Sequence, residues 1–210
     1  MADELPISLA QAKEVAQWMV DNFDAKLDAA VAGTQFQKKH LCAIACQETA
    51  YKWLSWVHHE LSPDEILARC VFDGSGDVPD TSRNVFPQNA AAFRARYGDE
   101  FTDMLIAEAN KTRALQPGFG PKPWLYKGYG LFQYDLQYVE DDEDFFRQKQ
   151  WYSIDSCLDR AMRELKRKYA ATGELWSAIK AYNGSGPRAE QYKKNVQAFT
   201  PACAEITGEH

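Results

Sequence analysis

The chain has no apolar run long enough to cross a membrane. Its longest clean one, Leu41 to Cys46, falls far short of the roughly 20 residues a spanning helix needs. Nor is there a surplus of basic charge: 24 Lys+Arg against 30 Asp+Glu leave a net charge of −6, with a pI near 5.3. Phosphate binding requires a basic footprint, so nucleic acid is excluded as the main partner, as is purely electrostatic adhesion to an anionic membrane or wall. Features of a secretory signal are missing too. Asp3, Glu4 and Pro6 stand where a basic region belongs, and no apolar stretch or cleavage site follows. The expectation is a chain that stays in the cytoplasm, leaves by a route needing no signal, or has been trimmed. There is no Cys-x-x-Cys pair. The five cysteines (Cys42, Cys46, Cys70, Cys157, Cys203) are odd in number and irregularly spaced, which reads as reduced core thiols rather than a disulfide framework. Cys42 and Cys46 share a helix face, with His40 and His58 nearby, but no second ligand pair accompanies them, so no metal or other cofactor is expected.

What the chain does have is material for a core. Its 210 residues are 45% hydrophobic and include six Trp, ten Tyr and eleven Phe, ample for one folded domain. Ser8 reads as an N-cap ahead of Val15, Trp18, Met19 and Phe23, with a second short helix at Ala25 to Val31 closed by Gly33. A strong helix starts near Gln37, carries Leu41, Ile44, Ala45, Thr49 and Trp53, and runs with a break toward His59. Ser62-Pro63-Asp64-Glu65 starts a helix ending near Cys70. From Phe72 to Pro87 the residues are turn chemistry, a loop or a small hairpin. Ala90 to Arg96 and Glu100 to Arg113 read as two helices split by Gly98. The acidic run Glu140 to Asp144 reads as a solvated turn or helix start. Ile154, Cys157, Leu158, Ala161, Met162, Leu165 and Tyr169 trace an amphipathic helix closed by Gly173. Leu175 to Tyr182 and Ala189 to Phe199 are the last two helices, joined by the turn Asn183 to Pro187. With no internal repeat or low-complexity linker, the reading is one mainly α domain.

In three places polar groups interrupt apolar patterns. Glu48 sits in Ala43-Ile44-Ala45-Cys46-Gln47-Glu48-Thr49-Ala50, where neighbours are apolar or small. A carboxyl desolvated there would hold its proton near neutral pH, as a general acid must; on the helix's outer side it would simply face water. Lys127-Gly128-Tyr129-Gly130-Leu131-Phe132-Gln133-Tyr134 sets two glycines about an aromatic. Such a segment allows close backbone approach and offers the Gln133 amide to a polar ligand, or else is a tight turn feeding a buried element. Ala181-Tyr182-Asn183-Gly184-Ser185-Gly186 ends an apolar helix on a phenol and an amide, or serves only as a helix C-cap.

A helix-borne Glu48, a later Gly130-Leu131-Phe132-Gln133 and a final Ala181-Tyr182-Asn183, in that order, resemble the lysozyme-like superfamily. Soluble lytic transglycosylases and goose-type lysozymes are the nearest in pattern. The likeness spans roughly Gln37 to Val196. Thr49 stands where those proteins usually have Ser, and Phe132 where they usually have Met. They also hold their first two motifs much closer together, whereas Glu48 and Gly130 are 82 positions apart. An inserted segment at about 63–123 accounts for the difference: an added substrate wall, a lid, or a dock for another protein.

The resemblance implies an α+β lysozyme-like fold, with residues 1–210 forming a single domain: helical, with a small irregular or β-hairpin region lining a substrate groove. It implies a muramidase cutting the β-1,4 bond between N-acetylmuramic acid and N-acetylglucosamine in peptidoglycan. Glu48 would be the general acid, with Tyr182 orienting it or the substrate. Gln133 and Asn183 would bind sugar or its amides, in a substrate site that Thr49 and Tyr129 also line. Trp53, Trp56 and Trp124 are, with Tyr129, candidates for sugar stacking, although most such rings in a domain this size fill the core. A transglycosylase needs no second carboxylate and leaves a 1,6-anhydro end. An inverting lysozyme needs a base on the opposite face, roughly 6.5–9.5 Å from the acid. Asp73, Asp77 and Asp80 are the candidates for it, then Asp135, and all four also suit turn-capping. The alternatives are a chitinase or chitosanase on the same fold, and a catalytically inactive wall-binding or phage structural module. A wall-degrading enzyme without a signal implies phage-type release or specialised secretion, and an injected toxin would imply a cognate immunity protein plugging its groove.

Overall fold

Ser8 opens the fold with a capping box. Its hydroxyl accepts from the Gln11 amide at 3.2 Å, and the Gln11 side chain accepts from the Ser8 amide at 2.9 Å, pairing donors that a helix start leaves unpaired. In the computed structural model, which describes residues 5–73 and 89–209, helix α1 then runs unbroken over Leu9–Val31. The two helices expected here are one. Asp24 and Asp28 both pair with the Lys38 ammonium, at 2.7 and 3.1 Å, while Phe23 and Leu27 keep the buried stripe going. The chain divides into two compact units, Met1–Leu61 with Leu158–His210, and Ser62–Cys157; the second contains the whole 63–123 segment.

In the first unit, α2 (Lys38–Ala45), a π-helical turn (Cys46–Ala50) and α3 (Tyr51–Val57) follow one another without a gap. The break that the sequence suggests is this π turn. Its wider winding shifts the phase of the side chains that follow and so re-aims them. All the residues from His40 to Cys46 are buried. The Glu209 carboxylate accepts from the Lys38 and Lys39 amides at 3.1 and 2.7 Å, so the last residues cap α2. His40 Nδ1 accepts from the Gln37 amide at 3.0 Å, and its ring meets Trp176 edge-on at 5.7 Å. Burial, with the Lys39 charge adding to it, lowers the His40 pKa to about 4, so at neutral pH the imidazole is neutral and able to accept.

Helices α9 (Leu175–Asn183) and α10 (Gly186–Thr207) complete this unit with the body of α8 (Ile154–Thr172). α10 packs on both α1 and α2 and runs past Pro201, beyond the end at Phe199 that the sequence suggests. Ala202 and Cys203 are buried, so packing keeps this last stretch helical where proline alone would favour a stop.

The second unit carries α4 (Pro63–Arg69), β1 (Val71–Phe72), α5 (Ala90–Tyr97), α6 (Asp99–Ala114), β2 (Gly128–Tyr129), β3 (Tyr134–Asp135) and α7 (Glu143–Arg147). The strands form an antiparallel sheet ordered β1-β2-β3, with Val71 opposite Tyr129 and Gly128 opposite Asp135. The molecule is thus mainly α with a small β region. Tyr129, Phe145, Phe146 and Trp151 are all fully buried and fill the space under the sheet, mostly in edge-to-face pairs that suit ring quadrupoles.

Beside this aromatic core lies Glu108, 1% exposed. It accepts from Arg69 (2.8 Å), Tyr152 (2.5 Å), Lys111 (2.8 Å) and Lys149 (2.9 Å). Burial works against its charge, but these four donors more than offset it and lower its pKa to about 2. All five cysteines are free thiols and all are buried. Burial pushes the pKa of Cys42, Cys46 and Cys70 well up, so they behave as small apolar residues.

Candidate functional site

Glu48 lies in the middle of the π turn, half-buried, between buried Cys46 and buried Thr49. The Tyr192 phenol of α10 donates to Glu48 Oε1 at 2.7 Å. One helical turn along, Asn195 Nδ2 donates to Gln47 Oε1 at 2.9 Å, while Asn195 Oδ1 accepts from Gln191 at 2.8 Å. One face of α10 thus grips two consecutive side chains of the π turn. Tyr192 is buried. That burial, with the Glu48 charge beside it and Tyr182 close by, pushes its phenol well above its usual pKa, so it stays a neutral donor to the carboxylate. This hydrogen bond holds the carboxyl in one orientation, and a bond to a charged group, typically worth about 1.5–3 kcal/mol, stabilises the carboxylate left when the proton departs.

The other members of the set in this unit are placed as follows. Tyr182, half-buried on α9, lies close enough to Tyr192 to perturb its ionisation. Asn183 is exposed at the C-terminal end of α9, before Gly184 at φ 124°. Thr49 is fully buried, and its hydroxyl accepts from Trp53 Nε1 at 2.9 Å. It secures the turn and is not available to substrate, which corrects the binding role expected of it.

In the second unit, Tyr129 has 0% exposure. It is a core ring between Phe146 and Trp151, and neither sugar binding nor stacking is open to it. Trp53 and Trp56 are likewise buried, whereas Trp124 is partly exposed. Gln133 adopts φ 54° and donates its amide to Gly130 O at 2.9 Å and Cys70 O at 3.4 Å, so it clamps the turn between β2 and β3. The close approach that the two glycines permit is internal. A Cβ at Gly128 would collide with the Gln133 side chain, and one at Gly130 would come within 2.6 Å of Cys157 Sγ.

Asp73 has a left-handed backbone, φ 65°, and its carbonyl accepts from the Lys127 amide at 2.9 Å. Its charge is felt by Asp135, whose pKa is raised by burial and then by Asp73, against the opposing Gln137 amide and the Lys127 ammonium at 3.1 Å. Two of the carboxylates considered for a second catalytic role therefore lie at one end of the sheet with one lysine. Asp77 and Asp80 lie outside the described residues. Among the described residues no group of three or more His, Cys, Asp or Glu is disposed to hold a metal ion, and no helix is long and apolar enough to cross a membrane.

Tyr192, Asn195 and Gln191 were not picked out from the sequence. A signal was present: Tyr192, Asn195, Val196 and Phe199 recur at i, i+3, i+4 and i+7, and all four are buried. A phenol and an amide on a buried stripe must find polar partners, and those partners are Glu48 and Gln47. Comparison with known protein families, with curated proteins and with solved structures found no match to this chain.

Proposed function

We propose that the chain is a peptidoglycan-cleaving muramidase with Glu48 as its general acid. The observation that carries this reading is the half-buried Glu48 carboxyl on a π-helical turn, held by the buried Tyr192 phenol at 2.7 Å. π turns concentrate at functional sites, and a fixed carboxyl at the edge of solvent is what proton delivery to a glycosidic oxygen requires. The ordered Glu48, Gly130-Leu131-Phe132-Gln133 and Ala181-Tyr182-Asn183 segments support the substrate class by resemblance.

In this mechanism Glu48 protonates the oxygen leaving C1 of the N-acetylmuramic acid residue. As a carboxylate it then takes a proton from that sugar's own C6 hydroxyl, closing a 1,6-anhydro ring; in the hydrolytic case a second carboxylate takes the proton of the attacking water. Tyr192 acts as a positioning residue through Glu48, and Tyr182 and Asn183 stand beside the reacting sugar. Clearing of a purified peptidoglycan suspension tests the reading. The wild type clears it, Glu48→Gln abolishes clearing, and Tyr192→Phe slows it about tenfold, the loss of one hydrogen bond to a charged group. A Glu48→Gln protein as active as the wild type would overturn the proposal.

A further inference from the structure

The connection from α6 to β2 is exposed yet tied down by side-chain hydrogen bonds. Pro117 to Pro123 are all exposed, and a stretch this rich in proline and glycine would ordinarily vary in shape. Here it is pinned at successive points. Asn110 grips both backbone groups of Lys122, donating to its carbonyl at 3.0 Å and accepting from its amide at 2.8 Å. Arg113 Nε donates to Gly120 O at 2.7 Å, and the Phe119 amide donates to Gln116 O at 3.1 Å.

What the pinned loop displays is aromatic and cationic. Phe119 is 48% exposed. The Arg113 guanidinium lies 5.3 Å from the Phe119 ring centre and 5.0 Å from that of Trp124, and the Lys122 ammonium lies 5.4 Å from the Trp124 ring. Arg113 is 5% exposed, yet no carboxylate among the described residues is within ion-pair distance. A buried cation is normally paired with an anion; this one is held by a carbonyl, the Tyr126 phenol at 3.0 Å and two rings. The sequence shows the same bias: a chain with 30 acidic residues has none from Ala109 to Tyr134, where Lys111, Arg113, Lys122 and Lys127 all fall.

We propose that the loop carrying Phe119, Lys122 and Trp124 is an auxiliary binding site for an acidic glycan strand, its rings against sugar faces and the Lys122 ammonium toward the strand's carboxylates. The inference takes its substrate class from the muramidase reading. Within that class, peptidoglycan provides both partners, because its aminosugars carry, through lactyl ethers, peptides with free carboxylates. Such a site holds the strand without taking part in bond cleavage, so it acts on KM and leaves kcat alone.

The test uses the full chain carrying Glu48→Gln, so that the glycan survives, and measures co-sedimentation with purified peptidoglycan. Phe119→Ala and Lys122→Gln, both at exposed positions, are each expected to weaken binding about threefold to fivefold, in the range of one exposed aromatic or cation contact. Together they weaken it about tenfold or more, with thermal midpoints unchanged. Added salt lowers parent binding, and uncharged chitin is bound more weakly. Equal binding by parent and double variant overturns the inference. So does equally tight, loop-dependent binding of poly-glutamate, which would make an acidic peptide the occupant. Digestion by the wild type, run alongside, separates the two readings. Digestion with loop-independent binding sinks only the auxiliary site, and loop-dependent binding without digestion sinks only the muramidase.

Discussion

Replacing Glu108 by Gln removes the one carboxylate on which Arg69, Lys111, Lys149 and Tyr152 converge. The isosteric amide keeps the volume but leaves three cations together with no anion between them. The size of the effect follows from the carboxyl itself. Its pKa is about 2 in the fold, against an ordinary carboxyl value of 4.5. Each pKa unit is about 1.4 kcal/mol, so the full difference corresponds to about 3.5 kcal/mol. Lys111 and Lys149 have side-chain exposures of 57% and 34%, and solvent screening of these two brings the expectation down to about 2 kcal/mol. The sign is that of a depressed carboxylate: the stabilisation is complete above pH 4.5 and is lost as pH falls toward 2. Urea unfolding followed by tryptophan fluorescence reads it, since buried Trp151 adjoins Tyr152 in the same unit. Glu108→Gln should unfold at clearly lower urea than wild type at pH 7, with the gap closing as both are taken toward pH 2. A variant as stable as wild type at pH 7, or a gap independent of pH, would refute the reasoning.

Two further outcomes follow from the same structure. The His40 pKa is lowered to about 4, so between pH 6.5 and 4 the unfolded chain binds a proton that the folded one refuses. Stability should therefore fall by about 2–3 kcal/mol across that window, and His40→Gln, which keeps an acceptor for the Gln37 amide, should flatten the slope in a urea titration. Gly130→Ala places a Cβ at φ 79° and 2.6 Å from Cys157 Sγ. Backbone strain and overpacking together should lower stability by about 2–4 kcal/mol, measured by thermal or urea unfolding.

Much of the helical fold could be read from the sequence because its apolar stripes are regular. The stripe from Ile154 to Tyr169 became α8, and the signature at Ser62-Pro63 became α4, closed by its own capping box with Glu65. The misreadings have physical causes. The stretch to Val31 reads as two helices and the last helix reads as ending at Phe199, because local propensity does not know what the opposite face buries. Glu48 stood out as a carboxyl among apolar neighbours, but nothing local signals the π turn beneath it. Tyr192 was hidden because a tyrosine on an amphipathic stripe reads as core until its hydroxyl is asked for a partner. Tyr129 and Thr49 were misjudged for the converse reason: a motif says which residues recur together, and burial decides which of them a ligand can touch.

Digestion of purified peptidoglycan by the wild type and by Glu48→Gln, with mass spectrometry of the soluble fragments, tests Glu48 as general acid of a muramidase. Muropeptides are expected from the wild type alone, with anhydro ends marking transglycosylation and reducing ends marking hydrolysis. No fragments from the wild type, or the same fragments from both proteins, would contradict it.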